Sequence, residues 1–357
     1  MKAEVDLMAN GQSQGDVANK LNVNDLNSGI LRPFIGEDGK NYILSYSGGD
    51  PKKKDSYQVN EINTNATLRR DEWKHLDEAV MAASQTRLNG IADLEEKGLV
   101  YNLGNGMGTT VLESHNIGDA FEAELSMDGL SRSKGDRVNY ATVYLPIPII
   151  HVDYEINARV LEVSRRMGNP LDTTSAELAS RKVAEKLEAM LFTSTTYSFG
   201  GGTIYSYLNH PDRNTETLTT DWDASGKTAA DIVADVMRMK QASINALHYG
   251  PWMLYIPTAY ETVLDGDYNA TKGDTIRERI LKIANISGIK VIDTLTANNV
   301  LLVQMTTDVV RLVKGLAIQN VQWAAQGNFV TNYKVLTIQV PQIRSDQNGK
   351  SGIVHLA

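Results

Sequence analysis

The sequence predicts an α+β fold, and three observations carry that prediction. A long polar hairpin, DAFEAELSMDGLSRSKGDRVNYATVYLPIPIIHVDYEI, opens at Asp119 and feeds an apolar strand. An isolated helix, LDTTSAELASRKVAEKLEAMLFTS, follows and ends at Ser194. From Thr228 onward helices and strands alternate. Between its arms the hairpin carries Gly129, Ser131, Ser133, Lys134, Gly135 and Asp136, too little apolar content to pack on a core. Such an arm needs another chain to lie on, so the pattern points to assembly before catalysis.

Residues 1–66 are rich in Asn, Gly, Ser and Gln, with short apolar pieces around Ile30–Ile35 and Tyr42–Tyr46 and a PKKKD cluster at 51–55. They read as an extended arm with short strands, a disordered tail being the alternative in an isolated subunit. Residues 67–97 read as helical. Asn65 or Thr67 is placed to cap, and Leu68, Trp73, Leu76, Val80, Ala83 and Leu88 form a stripe of roughly helical period. In the isolated helix, Pro170 sits outside and Thr174 with Glu177 makes a capping-box pattern. Val183, Leu187, Met190 and Leu191 share one face, while Arg181, Lys182, Glu185, Lys186 and Glu188 read as a solvated or interfacial one. About 22 residues at 1.5 Å each make a rod of about 33 Å. FGGGTIYSYLNHPD then breaks it with three glycines.

Thr228–Leu247 is predicted as a helix with Ile232, Val236, Met239 and Leu247 inward, ending at Gly250-Pro251. WMLYIP (252–257) reads as a buried strand, TAYETVLD as a short helix and TIRERILKIAN (275–285) as another. IKVID, VLLVQM, VVRLVK, YKVLTIQVPQI and GIVHLA supply the remaining strands. At 357 residues the chain has ample length for a buried core, and its 42% apolar and 22% charged content is ordinary for a globular protein.

The 35 basic residues against 43 acidic ones give a net charge of −8, so bulk charge does not attract nucleic acid or anionic lipid. The absence of cysteine excludes disulfides, thiolate nucleophiles, iron–sulfur clusters and cysteine zinc sites, and suits a reducing cytoplasm. MKAEVDLMANGQSQGDVANK has no apolar core of a signal peptide. The longest apolar run, VYLPIPII (143–150), falls far short of the roughly 20 residues that span a bilayer. A soluble protein is expected.

The chemical motifs dissolve on inspection. GNGMG (104–108) fails the dinucleotide spacing and reads as a turn. ASGKT (224–228) ends like a phosphate loop, but Asp221 stands where that loop needs glycine, and Thr228 with Asp231 reads as a helix cap. His151 and Asp153 share one strand face, a spacing open to metal but more often structural. Asp71-Glu72 and Glu95-Glu96 are adjacent on helices and point apart, and DGDYNATKGD (265–274) lacks the calcium-loop pattern. No catalytic, cofactor-binding or metal-binding residue is assigned, and no cofactor is expected.

The order of parts then matters more than any motif. LRRDEWKHLDEAVMAASQTRLNG (68–90) resembles the Trp-containing N-terminal helix of encapsulins, with Trp73 and Asp77 as the matching positions. The stretch from Pro146 to Phe192 resembles the strand, short helix and spine helix that follow the extended loop of HK97-type shell proteins. GGGTIYSYLNHP (200–211) resembles the Gly-rich stretch after that helix. The chain therefore resembles the HK97-type shell fold of tailed-phage major capsid proteins and encapsulins over roughly 67–357. About 65 residues precede the Trp helix, where encapsulins begin close to it, and that departure favours the phage side.

The resemblance implies an N-terminal arm (1–66), an N-terminal helix and connection (67–118) and an extended loop (119–150). A peripheral domain (151–227) with a spine helix at 172–194, an α/β axial domain (228–325) and returning C-terminal strands (326–357) follow. It implies a non-enzymatic major capsid protein whose homo-pentamers and homo-hexamers enclose phage double-stranded DNA, contacted weakly and non-specifically. Portal, scaffolding and decoration proteins are the implied partners, with no membrane. The implied place is the virion capsid, assembled in the host bacterial cytoplasm. An encapsulin shell around a cargo enzyme is the alternative, and an α/β enzyme on residues 228–343 is a third reading. Some family members crosslink through a Lys–Asn isopeptide; Lys134 sits near the hairpin tip, but no acceptor or catalytic acid is assigned.

Overall fold

The computed structural model describes residues 34–46, 57–61, 68–84, 89–104, 106–117, 127, 140–167, 173–269, 273–324, 330–346 and 349–357. Phe34–Ile35 (β1), Asn41–Tyr46 (β2) and Tyr57–Glu61 (β3) form an antiparallel three-stranded sheet. The PKKKD cluster lies outside the described residues, as do both expected caps, Asn65 and Thr67. The stretch expected as helical over 67–97 holds two helices, Arg70–Ser84 (α1) and Asn89–Glu96 (α2). Leu68, Trp73, Leu76 and Val80 are buried as their spacing predicts, and Trp73 meets Tyr333 edge-on at 6.1 Å.

Val100–Asn102 (β4) precedes two antiparallel strands, Val111–Ile117 (β5) and Tyr140–Pro146 (β6). Ile150–Asn157 (β7) leads into Ala158–Met167 (α3), and Thr174–Phe192 (α4) is the long helix, 19 residues or about 28 Å. Its capping differs from expectation. Thr173 is the N-cap residue and its hydroxyl donates to Glu177 at 2.7 Å, so no box forms at Thr174, which is already helical. Tyr197–Phe199 (β8) and Gly202–Ile204 (β9) make a small hairpin.

Asn214–Glu216 (β10) is followed by Ala229–Asn245 (α5), whose predicted cap at Thr228 is present and takes the form of a capping box with Asp231. Leu247 departs from its predicted inward place. The helix ends two residues earlier, and Leu247 takes a φ of 61° with its side chain 59% exposed. Trp252–Pro257 (β11) is wholly buried; a short 3₁₀ turn and Glu261–Leu264 (α6) follow. Ile276–Leu281 (α7), shorter than its predicted 275–285, is capped by Thr275 and Glu278. The remaining strands are Ile286–Ile292 (β12), Val300–Gln304 (β13), Val310–Ala324 (β14), Val330–Ile343 (β15) and Ile353–Leu356 (β16).

Two mixed sheets organise these parts. One runs β10-β16-β13-β11-β12 and the other β4-β14-β15-β7. Sheet membership differs from the predicted division at 325. β14 pairs with β15 from Val310↔Ile343 to Ala324↔Thr331, while the final strand β16 returns to β13 and β10. Helices α1 and α4 cover one face of the four-stranded sheet through Leu76, Val80, Ala179, Val183, Tyr333 and Val335. α5 and α7 pack on the five-stranded sheet through Val236, Met239, Leu254 and Ile280. A third cluster, including Leu94, Leu187, Leu191, Tyr255 and Leu301, joins α2 and α4 to the five-stranded sheet. Among the described residues no helix is long and apolar enough to cross a membrane.

Candidate assembly surface

The predicted hairpin at 119–150 has its paired stem earlier than expected. β5 and β6 register from Val111↔Pro146 to Ile117↔Tyr140, and the amide of Ile147 closes the base on the Thr110 carbonyl at 2.9 Å. Residues 118–139, apart from Met127, lie outside the described residues, and Lys134 with them. Burial along β6 follows distance from the base of the stem and does not alternate between its faces. Leu145 is buried, while Val143 and Tyr144 are 42% and 38% exposed.

The glycines after α4 do more than end it. Gly200 and Gly201 turn the β8–β9 hairpin at φ values of 58° and 80°. A Cβ on Gly202 would run into the main-chain carbonyl of Tyr144 and sit 3.0 Å from the Pro146 ring, so its bare backbone lets β9 lie directly against the stem. Ser198 and Thr203 join hydroxyls at 2.8 Å across the turn, leaving Tyr197 and Phe199 49% and 54% exposed on the other side.

Beside this hairpin a groove of about 510 Å³ runs between α4 and the start of β7. Ile149, Met190 and Ile204 are among its apolar lining, with Lys182, Lys186 and His151 as cationic or ionisable members. His151 Nδ1 stands 3.6 Å from Asp153, which Lys334 also approaches at 3.5 Å; both strand residues are half exposed. The predicted pair is therefore part of a surface ionic contact with a lysine as third member. Its exposure makes it a weak contributor to stability.

One member of the predicted solvated face is buried. Glu188 of α4 is 4% exposed and accepts the amides of Gly90 at 3.1 Å and Ile91 at 3.5 Å, supplying acceptors to the first turn of α2. Burial raises its pKa to about 7, against those two hydrogen bonds, and the nearby Asp93 and Asp293 push the same way. Asp93, 2% exposed, is also raised by burial, although Lys290 at 3.8 Å and the Tyr255 hydroxyl at 3.1 Å favour its charged form. A sequence signal for Glu188 did exist. Ala184 lies four residues before it and Leu191 and Phe192 three and four after, so it occupies the apolar face.

The remaining motifs have structural partners. Lys227 of the phosphate-loop look-alike is 5% exposed and pairs with Asp235 at 2.6 Å, which also accepts from Trp222 Nε1 at 3.0 Å. Gly106 of GNGMG packs on the backbone of Gly315, 2.6 Å from where its Cβ would be. Glu95 pairs with Lys314 at 2.8 Å, and Asp265 and Asp274 of the acidic loop pair with Arg277 and Lys282 at 2.8 and 2.7 Å. The exposed apolar set of Val143, Tyr144, Ile149, Tyr197 and Phe199, missed in the sequence, clusters around the hairpin stem and the α4 groove instead. That arrangement suits contact with another polypeptide.

Known proteins share this architecture. A virus-like particle from Pyrococcus furiosus superposes with a TM-score of 0.59 at 19% identity, covering 80% of this chain and 99% of that one. The capsid of Myoviridae phage XM1 gives a TM-score of 0.55 at 9% identity over 73% of this chain and 90% of that one. The fold is the HK97-type fold of capsid and shell proteins. A diheme-cytochrome–encapsulin shell fusion protein of Kuenenia stuttgartiensis is 23% identical over 211 residues, 59% of this chain. The chain spans about half the length of that curated relative, 54%. Residues 63–356 match the model of the family of unknown function DUF6260, and the chain belongs to that family.

Proposed function

We propose that the chain is a non-enzymatic shell protein, a major capsid protein that self-assembles into a closed icosahedral container for a phage double-stranded DNA genome. The observation that carries this reading is the exposed apolar set around the β5–β6 stem and the α4 groove, in a fold shared with capsids and a virus-like particle. A stem with that flank gains apolar contact when a second copy covers it. In this reading α1, α4 and the four-stranded sheet, β14 included, form the peripheral domain. The five-stranded sheet with α5, α7 and β16 forms the axial domain at the centre of pentamers and hexamers. Residues 1–66 act as the arm over a neighbour and 119–150 as the extended loop. Portal, scaffolding and decoration proteins would complete a virion assembled in the bacterial cytoplasm.

The encapsulin reading keeps the shell and changes its contents to a cargo enzyme. The name of the Kuenenia relative, an encapsulin shell fusion, favours it. Negative-stain microscopy of the expressed chain tests the shell: angular particles or open capsomers are expected, and a persistent monomer that turns over a small molecule overturns it. The contents of particles from the natural source separate the two readings. Nuclease-protected DNA marks a genome container, and a co-purifying enzyme marks a nanocompartment.

A further inference from the structure

At the foot of the hairpin stem lies a second cleft, of about 330 Å³, that the shell reading leaves without a role. Ser114 and Thr142–Leu145 of the stem form one wall, and His210, Asp212, Gln342 and Arg344 are among the residues of the others. Arg344 is the arginine of its lining and Asp212 the acid, and Arg311 lies behind the lining residue Gln342. Arg311 on β14 donates through Nε to Gln342 at 2.6 Å and stacks on Tyr101 at 4.3 Å. Arg344 lies two residues beyond Gln342, so both arginines lie on the same side of the β14–β15 pair. Neither guanidinium has a carboxylate within ion-pair distance among the described residues. Burial above all, and then the positive charge of Arg344, hold the Arg311 pKa below its ordinary value, with Tyr101 acting the other way.

The opposite wall adds a neutral donor. His210 is 7% exposed, and its Nδ1 accepts the amide of Asp212 at 3.2 Å, which leaves the ring proton on Nε2. Burial lowers the pKa of this ring, so it is neutral at pH 7. Asp212 is the acid among the lining residues, and Ser345 Oγ donates to its carboxylate.

We propose that this cleft binds a small oxyanion of the phosphate class, gripped by Arg344 with Arg311 behind it and met from the far wall by His210. A planar guanidinium matches two oxygens of such an ion, and the charge of the ion relieves the repulsion between the arginines. Gln342 already links the site to the stem through a 3.3 Å bond from Nε2 to Ser114 Oγ. Occupancy therefore braces β5 and β6 against the end of β15.

Titration calorimetry with inorganic phosphate, against chloride at matched ionic strength, tests the site on the full chain. Arg344→Gln is expected to weaken phosphate binding about tenfold or more, as loss of one charge-assisted fork does. Arg344→Lys is expected to recover only part of the loss, while Lys182→Gln in the separate groove leaves binding unchanged. Hydrogen–deuterium exchange provides a readout that needs no variant: phosphate is expected to protect peptides covering 209–213 and 341–346. Equal binding by wild type and Arg344→Gln, or protection absent from both peptides, overturns the proposal.

Discussion

The carboxylate of Glu188 accepts the main-chain amide of Gly90 at 3.1 Å, so a side chain of the long helix caps a helix 98 residues earlier. A Cβ at Gly90 would press on the ring of Phe192, one turn beyond Glu188, so the two helices meet backbone to side chain. The joint has a pH dependence whose sign follows from its pKa. Glu188 titrates at about 7 in the fold and at 4.5 when free, so the folded state holds a proton that the unfolded chain releases. The cost of ionising it is absent below 4.5, grows across that window and is complete above 7. Stability therefore falls as pH rises through the window, and the raised Asp93 acts in the same direction. Glu188→Gln keeps an acceptor for Gly90 and cannot ionise. It is expected to flatten the dependence and to raise stability at pH 8 by a few kcal/mol at most. Urea unfolding of both proteins at pH 5 and pH 8 checks this; parallel curves would contradict it.

Gly202 and Gly201 separate two reasons for glycine. At Gly202 a methyl group meets the Tyr144 carbonyl, a backbone group that cannot turn aside. Gly202→Ala is expected to cost about 1–3 kcal/mol through forced separation of β9 from the stem. At Gly201 the added methyl meets nothing within 4 Å, but φ is 80°. Gly201→Ala is expected to cost about 1–2 kcal/mol through backbone strain alone, without moving the stem. Denaturant midpoints measure both losses, and hydrogen exchange of β6 distinguishes them: it rises only in the Gly202 variant.

These positions also mark how far the sequence could be read. The cap at Thr228 with Asp231 was legible because both partners are local, three residues apart and before a clear apolar stripe. The box expected at Thr174 does not form, since Thr173 is the N-cap residue and its hydroxyl takes the Glu177 carboxylate without capping a backbone amide. Glu188 departs from its expected solvated or interfacial place because α2 covers a position that its own helix leaves open, while Arg181, Lys182 and Glu185 keep to the outer face. The exchange of β14 and β16 between sheets has no local signal at all. β16 pairs with β10 across about 140 positions of sequence, from Asn214↔Val354 to Glu216↔Leu356, and apolar strands of similar composition fit either sheet. The cleft at Arg344 escaped for the same reason, being assembled from four distant segments.

The buried ion pair under α5 predicts an ordered series of losses. Asp235 is 6% exposed and holds Lys227 at 2.6 Å, Arg238 at 3.2 Å and the Trp222 indole at 3.0 Å. Asp235→Ala leaves the Lys227 ammonium buried and uncompensated, and is expected to cost about 3–5 kcal/mol. Lys227→Met removes a charge while Asp235 keeps two donors, so its loss is expected to be smaller. Chemical denaturation gives the ranking; a Lys227→Met protein less stable than Asp235→Ala would mean that the lysine, not the carboxylate, anchors this cluster.

Phe199 and Ile149 test whether the apolar flank of the stem is an assembly surface. They are 54% and 47% exposed, and placing aspartate at either removes little that the single chain buries. Subunit stability is expected to change by no more than about 0.5 kcal/mol. In a shell the same carboxylate would be covered without a partner, at a cost of about 1–3 kcal/mol or more at each contact. That cost repeats at every symmetry-related contact, so a change too small to unfold one subunit is large enough to stop closure. Phe199→Asp and Ile149→Asp are therefore expected to melt like wild-type subunits while eluting as small oligomers or monomers. Size-exclusion chromatography with light scattering, followed by microscopy of the void fraction, reads the result. Particles of wild-type yield from both variants would place the working contact elsewhere on the surface.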